Sequence, residues 1–298
     1  MDIDGRVRVN KGFKNSRYAA KIAAYVSKLE EIRKDCLCDN PNCVTFFRGV
    51  NFNLSREENV PSIFRRKYQF CLRNEDLIFK DVLANRPEYF SKCKSTFDRL
   101  EVMQHYGLPT RLLDVTKNYL VALYFACNGG DGDGKIFVYS LDKKCLKYRD
   151  DEVVSVLSNF SLMPADFRIN IHEEEYRDSF HYRQLLSRVQ EEKPTVKEID
   201  KDYFRNYVVC VMPERNNARI IVQEGAFLLF GMSGGEKISQ VSFCDKINQH
   251  IACSEVSVLK DDKEQLLSEL AEMGISEENL FPELEHYRAK IERQYGVR

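Results

Sequence analysis

Apolar residues recur every three or four positions in three long stretches of the chain. The first covers residues 16–34, the second 62–97 and the third 260–295. A repeat of this length places the apolar side chains on one face of an α-helix. We therefore predict a helical lead-in at the N-terminus, a helical middle region and a helical C-terminus. The polar stretch 150–193 is also predicted to be mostly helical.

Shorter apolar runs that end at turn residues predict strands. They cover residues 44–48, 135–140, 207–212, 219–222 continuing into 223–230, and a strand pair within 243–258. Pro213 closes the third run, because proline cannot donate a hydrogen bond to a sheet. Helices and strands without an internal repeat predict one α+β domain, with a mixed or antiparallel central sheet flanked by helices. Residues 1–43 are its helical lead-in and residues 44–298 the domain itself.

Glycine marks two predicted connections. A short helix over 97–105 is predicted to end at Tyr106 and Gly107, since glycine readily adopts the left-handed conformation that follows a helix. A mostly buried helix at 118–127 is followed by the glycine-rich segment 128–134, which leads into strand 135–140. We interpret that segment as a plain turn and not a calcium loop, because no glutamate follows at the distance a calcium site requires.

The composition is that of an ordinary globular protein. Hydrophobic residues make up 43% and charged residues 31% of the 298 residues, and the net charge is −1. This balance gives no overall electrostatic case for nucleic acid, although it is compatible with a locally basic groove. No run of 18 or more apolar residues and no secretory leader is visible, so we expect a cytoplasmic protein without a membrane segment.

Ten cysteines lie at irregular positions, and in a reducing cytoplasm we expect them to be free. Cys36, Cys38 and Cys43 cluster in a loop-like stretch. A zinc site needs four ligands, usually arranged as two pairs. No second pair is evident in this sequence, so we predict no metal ion.

Segment 100–126 carries the densest group of polar side chains beside an apolar run. The polar members are Gln104, His105, Tyr106, Thr110, Arg111 and Asp114. Hydrogen-bonding groups need partners when they are buried, and a functional site typically supplies them. His105 is a candidate general base, a ligand for ribose hydroxyls, or a half-buried hydrogen bonder that pins the helix end. Thr110 either caps the next helix or contacts a ligand.

Arg48 and Gly49 end the first predicted strand. A guanidinium group is a planar fork of donors that binds phosphate or carboxylate through two hydrogen bonds. Glycine beside it allows a ligand to approach the backbone closely. The alternative is a structural arginine that pairs with a buried acid such as Asp114, because buried charges are normally paired.

Together these segments resemble the FRG domain family, named for its Phe-Arg-Gly motif. The resemblance is carried by Phe47-Arg48-Gly49, by 103–114 (MQHYGLPTRLLD) and by 122–126 (ALYFA), with Gly274-Ile275 and 280–284 near the end. It extends from about Phe46 to Arg293. An aromatic-Arg-Gly motif on the first strand is in turn similar to the opening motif of the ADP-ribosyltransferase superfamily. That second resemblance implies a split sheet and NAD as co-substrate.

The superfamily pattern implies roles for the residues that match it. Arg48, with Gly49 beside it, and Arg111 would hold the NAD phosphates, and Tyr106 would stack on the nicotinamide or adenine ring, with Thr110 close to the ligand. Asp114 would either stabilise the cationic sugar or lock Arg111 or Arg48 in place.

In the superfamily a late strand supplies a glutamate, and this chain departs from that pattern. Ala226 stands where the acid belongs and Glu224 is displaced by two residues. Gln223 matches the FRG pattern, so it is the safer functional residue, and Glu224 is a catalytic candidate. The candidate catalytic residues are therefore Arg48, His105, Asp114, Gln223 and Glu224.

The resemblance thus predicts an NAD-dependent ADP-ribosyltransferase toxin that acts on RNA, DNA or protein, with RNA favoured between the two nucleic acids. Bacterial anti-phage defence or a toxin–antitoxin system would be its setting, with an antitoxin protein as partner. The alternative is a non-enzymatic sensor module that binds a nucleotide or phosphate. No nucleophile elbow, zinc-protease motif or phosphate loop is present in the sequence, which argues against hydrolase and NTPase functions.

Overall fold

A computed structural model describes residues 19–39, 41–55, 58–205, 207–214, 217–232, 235–237, 251–282 and 296. The strands it contains are β1 (Cys43–Val50), β2 (Leu112–Thr116), β3 (Gly134–Asp142), β4 (Leu146–Tyr148), β5 (Val208–Met212), β6 (Gly225–Phe230) and β7 (Ile251–Val258). They form one sheet in the order β4-β5-β6-β2-β1-β3-β7. Only β4 and β5 pair in parallel; every other neighbouring pair among these strands is antiparallel. The prediction of an α+β fold with a mixed sheet is confirmed.

The helices pack around this sheet. They are α1 (Ala19–Asp39), α2 (Gln69–Arg73), α3 (Glu75–Asn85), α4 (Thr96–His105), α5 (Tyr119–Cys127), α6 (Glu152–Asn159), α7 (Phe180–Glu192), α8 (Ala218–Val222), α9 (Lys260–Glu272) and α10 (Glu277–Leu280). Short 3-10 helices, among them Pro87–Phe90, join some of them.

The two halves of the sheet meet at a narrow seam. Strand β1 pairs with β3 along the whole length of β1, and β2 and β6 pair from Leu112 to Thr116. Between β1 and β2, in contrast, the pairing is the single residue pair Phe47–Thr116. We call the line between β1 and β2 the seam.

Both helical layers that matter for the site lie on one face of the sheet. Side chains alternate along a strand, so Leu112 lies on the same face as Thr116 and its partner Phe47. On one side of the seam, Leu112 packs with α4, α6 and α7 in the larger core. On the other side, Phe47 packs with α5 and α9. The opposite face of the sheet has its own core, which includes Phe46 and Leu113.

Helix α1 belongs to the second of these layers. Its buried Leu29 joins the core under α9, and Tyr25 Oη donates to Asp262 at 3.1 Å. The helix continues to Asp39, so the prediction of a loop at Cys36 and Cys38 is wrong. The eight cysteines whose side chains are described are free. Among the described residues no cluster of three or more acidic, histidine or cysteine side chains is placed to hold a metal ion.

Several predicted boundaries are confirmed. Helix α4 ends at His105, and Gly107 has the predicted left-handed backbone with φ of 74°. Strand β5 stops at Met212, directly before Pro213, and segment 128–134 connects α5 to β3. No helix in the described ranges combines the length and apolarity that crossing a bilayer requires.

The predicted strand over 219–222 is wrong, because these residues form α8. Asn217 caps that helix by accepting a hydrogen bond from the Arg219 backbone at 2.8 Å. Residues 150–193 form α6 and α7 with an irregular stretch between them. Of the predicted strand pair in 243–258, β7 is present and the first strand lies outside the described residues. The predicted C-terminal helix is described to residue 282, where it consists of α9 and α10.

Candidate active site

A cleft of about 1060 Å³ opens over the seam, between the two helical layers. Helix α4 forms one wall and α5 the other, while β1 and β2 form the floor. The segment between α8 and β6 closes one side. Its lining includes Arg48, Gly49, Glu101, Gln104, Asp114 and Gln223. Residues that are distant in sequence are therefore brought to one cavity.

Gly49 is required by the packing of α5. A Cβ atom at this position would lie 1.8 Å from the carbonyl oxygen of Ala122 and 2.7 Å from the backbone nitrogen of Ala126. No side chain fits there unless the helix moves. We predicted that Gly49 gives a ligand access to the backbone. The observed contact gives it a structural task, even though the residue also lines the cleft.

Arg48 bridges the seam. Continuing the antiparallel register beyond Phe47–Thr116 would place Gly49 opposite Asp114, but the strands separate there. Arg48 Nη1 instead donates to the Asp114 carbonyl oxygen at 3.0 Å. Its Nε is buried and has no hydrogen-bond partner among the described residues. The predicted alternative, a pair with the Asp114 carboxylate, is wrong, because Arg48 binds the main chain and makes no salt bridge in the described part of the chain.

A second guanidinium, Arg65, lies within electrostatic reach of Arg48. Burial lowers the pKa of Arg65, and the positive charge of Arg48 lowers it further. Arg65 Nε donates to the Val60 carbonyl at 3.0 Å, so the side chain is held in position. Two nearby cations raise the electrostatic potential beside the seam, and the Asp114 carboxylate partly offsets it; Arg65 is not among the residues that line the cleft. The basic run 65–67 was the sequence signal for this residue, and the prediction missed it.

Asp114 is oriented by a short hydrogen-bond chain. Thr110 Oγ1 donates to Gln104 Oε1 at 2.6 Å, and Gln104 Nε2 donates to Asp114 Oδ2 at 2.7 Å. The carboxylate is exposed toward the cleft, whereas Thr110 is fully buried and accepts from the Leu112 backbone at 3.1 Å. Thr110 is therefore a positioning residue, and its predicted contact with a ligand is wrong.

Arg111 lies outside the cleft. It is fully buried and forms a two-pronged ion pair with Glu75, with Nε–Oε1 at 2.7 Å and Nη2–Oε2 at 2.6 Å. Its Nη1 donates to the Gly231 carbonyl at 2.9 Å. The buried Lys237 also approaches Glu75, at 3.5 Å, and burial lowers the pKa of this lysine to about 8. The predicted phosphate contact of Arg111 is wrong, because its donors already have partners in the core.

His105 and Tyr106 lie at the mouth of the cleft. Both are exposed, and their ring centroids are 5.0 Å apart in an edge-to-face arrangement. His105 therefore does not have the half-buried position expected of a residue that pins the helix end. Its other two predicted roles, as a base or a ribose ligand, stay predictions.

The two remaining candidates, Gln223 and Glu224, are adjacent in the segment between α8 and β6 but have different surroundings. Gln223 lines the cleft, and its Nε2 donates to the Leu280 carbonyl at 2.9 Å, which ties it to the C-terminal region. Glu224 does not line the cleft. It has a positive φ of 48°, and its carboxylate accepts from Asn118 Nδ2 at 3.1 Å. The structure therefore does not support a catalytic position for Glu224.

Glu101 is a cleft carboxylate that the sequence-based prediction missed. It lies on α4, one turn before Gln104 and His105. Burial raises the pKa of Glu101 to about 7, the Asp98 carboxylate adds to the rise, and Arg149 opposes it. An acid that titrates near neutral pH can accept or donate a proton during a reaction. The spacing of Asp98, Glu101 and His105 along one helix face was the available signal.

Residues 44–133 match the family model of the FRG domain. The match covers less than a third of the chain, and it includes β1, the 103–114 motif and α5. Residues 44–133 are therefore similar to the FRG domain, as the motifs within them indicated. Neither the curated proteins nor the solved structures gave a significant match.

Proposed function

We propose that this chain is an NAD-dependent ADP-ribosyltransferase toxin that modifies a macromolecule. The observation that carries the proposal is the position of Arg48. Arg48 lies beside the seam at the floor of a large cleft, its side chain makes no salt bridge in the described part of the chain, and its buried Nε has no acceptor there. A buried donor without a partner is costly, and an anionic ligand would supply the missing acceptor.

The size and charge of the cleft suit a dinucleotide. Its volume of about 1060 Å³ is at the upper end of ligand pockets, so both nucleotide halves of NAD can be accommodated. The diphosphate would lie at the seam, where Arg48 can donate to it and Arg65 adds a second positive charge. We therefore propose NAD as co-substrate and no metal ion.

The proposed reaction breaks the bond between nicotinamide and C1′ of its ribose. Nicotinamide leaves as a neutral molecule with the electron pair of that bond, and positive charge develops on the sugar. Asp114, which Gln104 holds in place, would stabilise that charge. The acceptor then forms the new bond to C1′ and loses a proton. Glu101, with a pKa of about 7, is suited to receive it.

The biological setting we propose is bacterial anti-phage defence or a toxin–antitoxin system. A toxin that consumes NAD and modifies a cellular macromolecule would need to be blocked in its own cell. An antitoxin protein that covers the cleft is the corresponding partner.

One observation favours a second candidate, a sensor module that binds a nucleotide or phosphate without turnover. The glutamate of the late strand is missing from the cleft, because Ala226 occupies its aligned position and Glu224 points to Asn118. On this alternative Arg48 binds the anion and no sugar bond is broken.

Incubation with NAD labelled in its adenylate half and a bacterial lysate tests the proposal. We expect label in macromolecules with the wild-type chain, and loss of at least about 90% of it with Arg48→Ala. Arg188→Ala, an exposed arginine on α7 that pairs with Glu191, is the matched control. Nuclease and protease treatment identifies the labelled class. Binding of NAD without labelling or nicotinamide release would support the sensor and refute the enzyme.

A further inference from the structure

An exposed group of rings stands at the mouth of the cleft. Tyr106 is 59% and Tyr89 48% exposed, and their ring centroids are 4.9 Å apart at an interplanar angle of 78°. The His105 ring contacts Tyr106 at 5.0 Å. All three residues line the cleft. We call Tyr89, His105 and Tyr106 the aromatic rim.

The fold holds these rings outward. Helix α4 ends at His105, and the left-handed backbone of Gly107 turns the chain immediately after Tyr106. On the other side, Phe90 is buried in the larger core and anchors the 3-10 helix from which Tyr89 projects. Large rings that remain in water at the mouth of a cavity are typical of a binding surface.

Two lysines without a salt-bridge partner in the described ranges lie near the aromatic rim. Lys92 and Lys94 are exposed, line the cleft, and make no salt bridge in the described ranges. Arg86 and Glu88 are the other charged residues of segment 86–94, so this segment carries an excess of positive charge. The cleft also contains four acids: Asp98 and Glu214 share one partner, Arg149, at 3.4 and 2.9 Å, while Glu101 and Asp114 make no salt bridge in the described ranges. Five cations against four carboxylates line the cleft, and Lys92 and Lys94, on the segment that carries Tyr89, are cations without an acidic partner in the described ranges.

Stacking faces next to free cations are the features that bind single-stranded nucleic acid. Every base has a flat face that stacks on an aromatic ring, and the phosphates between bases are attracted to lysine. A duplex hides its base faces, so it would gain only the phosphate contacts. A folded protein acceptor offers neither a row of stacking faces nor a regular row of anions.

We infer that the acceptor in the proposed transfer is a single-stranded nucleic acid, with a base stacked on the aromatic rim and neighbouring phosphates at Lys92 and Lys94. This inference rests on the proposed function, since it names the molecule that the ADP-ribosyl group is transferred to. Tyr106 is thereby assigned to the acceptor and not to the NAD rings.

Fluorescence anisotropy without NAD tests the inference. Labelled RNA and DNA strands of about 12 nucleotides and mixed sequence, and the corresponding duplexes, would be titrated with the wild-type chain. We expect at least one of the two single strands, RNA or DNA, to bind more tightly than the corresponding duplex. The RNA and DNA arms show which sugar is accepted.

Variants of the rim and of the lysines provide the decisive comparison. Tyr106→Ala should weaken single-strand binding at least about fivefold, because one base loses its stacking partner. Tyr106→Phe should retain it. Phe180→Ala is the matched control, since Phe180 is exposed and lies beside His181 but does not line the cleft. Lys92→Gln with Lys94→Gln should reduce the slope of log K against log[salt] by about 1.4, because two phosphate contacts are lost. Lys197→Gln with Lys201→Gln, at exposed positions that do not line the cleft, should leave the slope unchanged.

Three results would overturn the inference: no binding of single strands, equal binding of single strands and duplexes, or a Tyr106→Ala variant that binds like Phe180→Ala. Melting temperatures of the variants verify that they fold. A protein acceptor would appear as the first result together with protease-sensitive label in lysate. If single strands bind through the rim but NAD is neither cleaved nor transferred, the proposed function fails while the binding site stands.

Discussion

Arg48 and Arg111 are two arginines of the same domain with opposite environments. Arg111 is fully buried and holds Glu75 and the Gly231 carbonyl. Arg48 is half-buried, holds one carbonyl, and keeps a buried Nε that has no partner among the residues the structure describes. Both suggest phosphate binding when only the sequence is known. The difference teaches that an arginine with satisfied donors stabilises a fold, whereas one with a donor left over is able to bind a ligand.

The largest expected effect comes from the buried arginine. Arg111→Ala leaves the Glu75 carboxylate in the core without its main partner, which costs roughly 3–5 kcal/mol of the free energy of unfolding. Urea unfolding of wild type and variant measures it. Arg188→Ala, which breaks an exposed pair, should cost less than about 1 kcal/mol. A similar cost for both variants would show that the Arg111–Glu75 pair does not support the core.

Arg48 should give the opposite result. Arg48→Ala removes a charge-assisted contact to the proposed diphosphate, which corresponds to roughly 10- to 100-fold weaker NAD binding. Its free energy of unfolding should fall by only about 1 kcal/mol, because one hydrogen bond to the Asp114 carbonyl is lost. Calorimetric titration with NAD and urea unfolding separate the two quantities. Unchanged NAD affinity, with NAD bound by both proteins, would remove Arg48 from the site.

Two carboxylates differ in the same way as the two arginines. Glu75 has a cationic partner, whereas Glu101 lacks a salt bridge within the described residues. The pKa of Glu101 is raised from its ordinary value of 4.5 to about 7, so the folded state binds the proton more tightly than the unfolded state. The carboxyl therefore costs stability as pH rises through the window from 4.5 to 7.

Glu101→Gln removes that cost. Relative to wild type, the variant should gain about 2 kcal/mol in free energy of unfolding between pH 4.5 and pH 8, the pKa shift being discounted for partial exposure. Urea unfolding across this range measures the gain. A difference between variant and wild type that does not change with pH would mean that Glu101 titrates normally.

The smallest effect is expected at Glu224. Its φ of 48° is strained for a residue with a side chain, so Glu224→Gly should raise the free energy of unfolding by about 0.5–1 kcal/mol. NAD labelling should be unchanged, because the side chain lies outside the cleft. Loss of labelling in both Glu224→Gly and Glu224→Gln would show instead that Glu224 is the catalytic acid.

Local signals allowed much of the fold to be predicted. The end of α4 at Gly107, the stop of β5 before Pro213 and the strand that carries Arg48 each depend on residues close together in the chain. Strand β2 was not predicted, because polar Asp114 and Thr116 in a five-residue strand hide the apolar alternation. Helix α8 was assigned to a strand because Ile220 and Ile221 favour strands, while the Asn217 cap decides for a helix.

The site was harder to predict than the fold. Arg48, Gln223 and Asp114 do line one cleft, as the motif order implied. The partner of Arg111 is Glu75, which lies 36 positions away in the chain, and no spacing rule connects the two. Glu101 becomes notable only when burial and the neighbouring acid have been located, and neither can be obtained from sequence pattern.

The single pair Phe47–Thr116 has a further consequence for a ligand in the cleft. Each half of the sheet is held together by long ladders of hydrogen bonds, but between the halves the described structure has one register pair and the Arg48 side chain. A molecule bound across the seam contacts both halves of the sheet and holds them together. Occupancy would then be reported by resistance to heating as well as by chemistry, rising with ligand concentration above its dissociation constant.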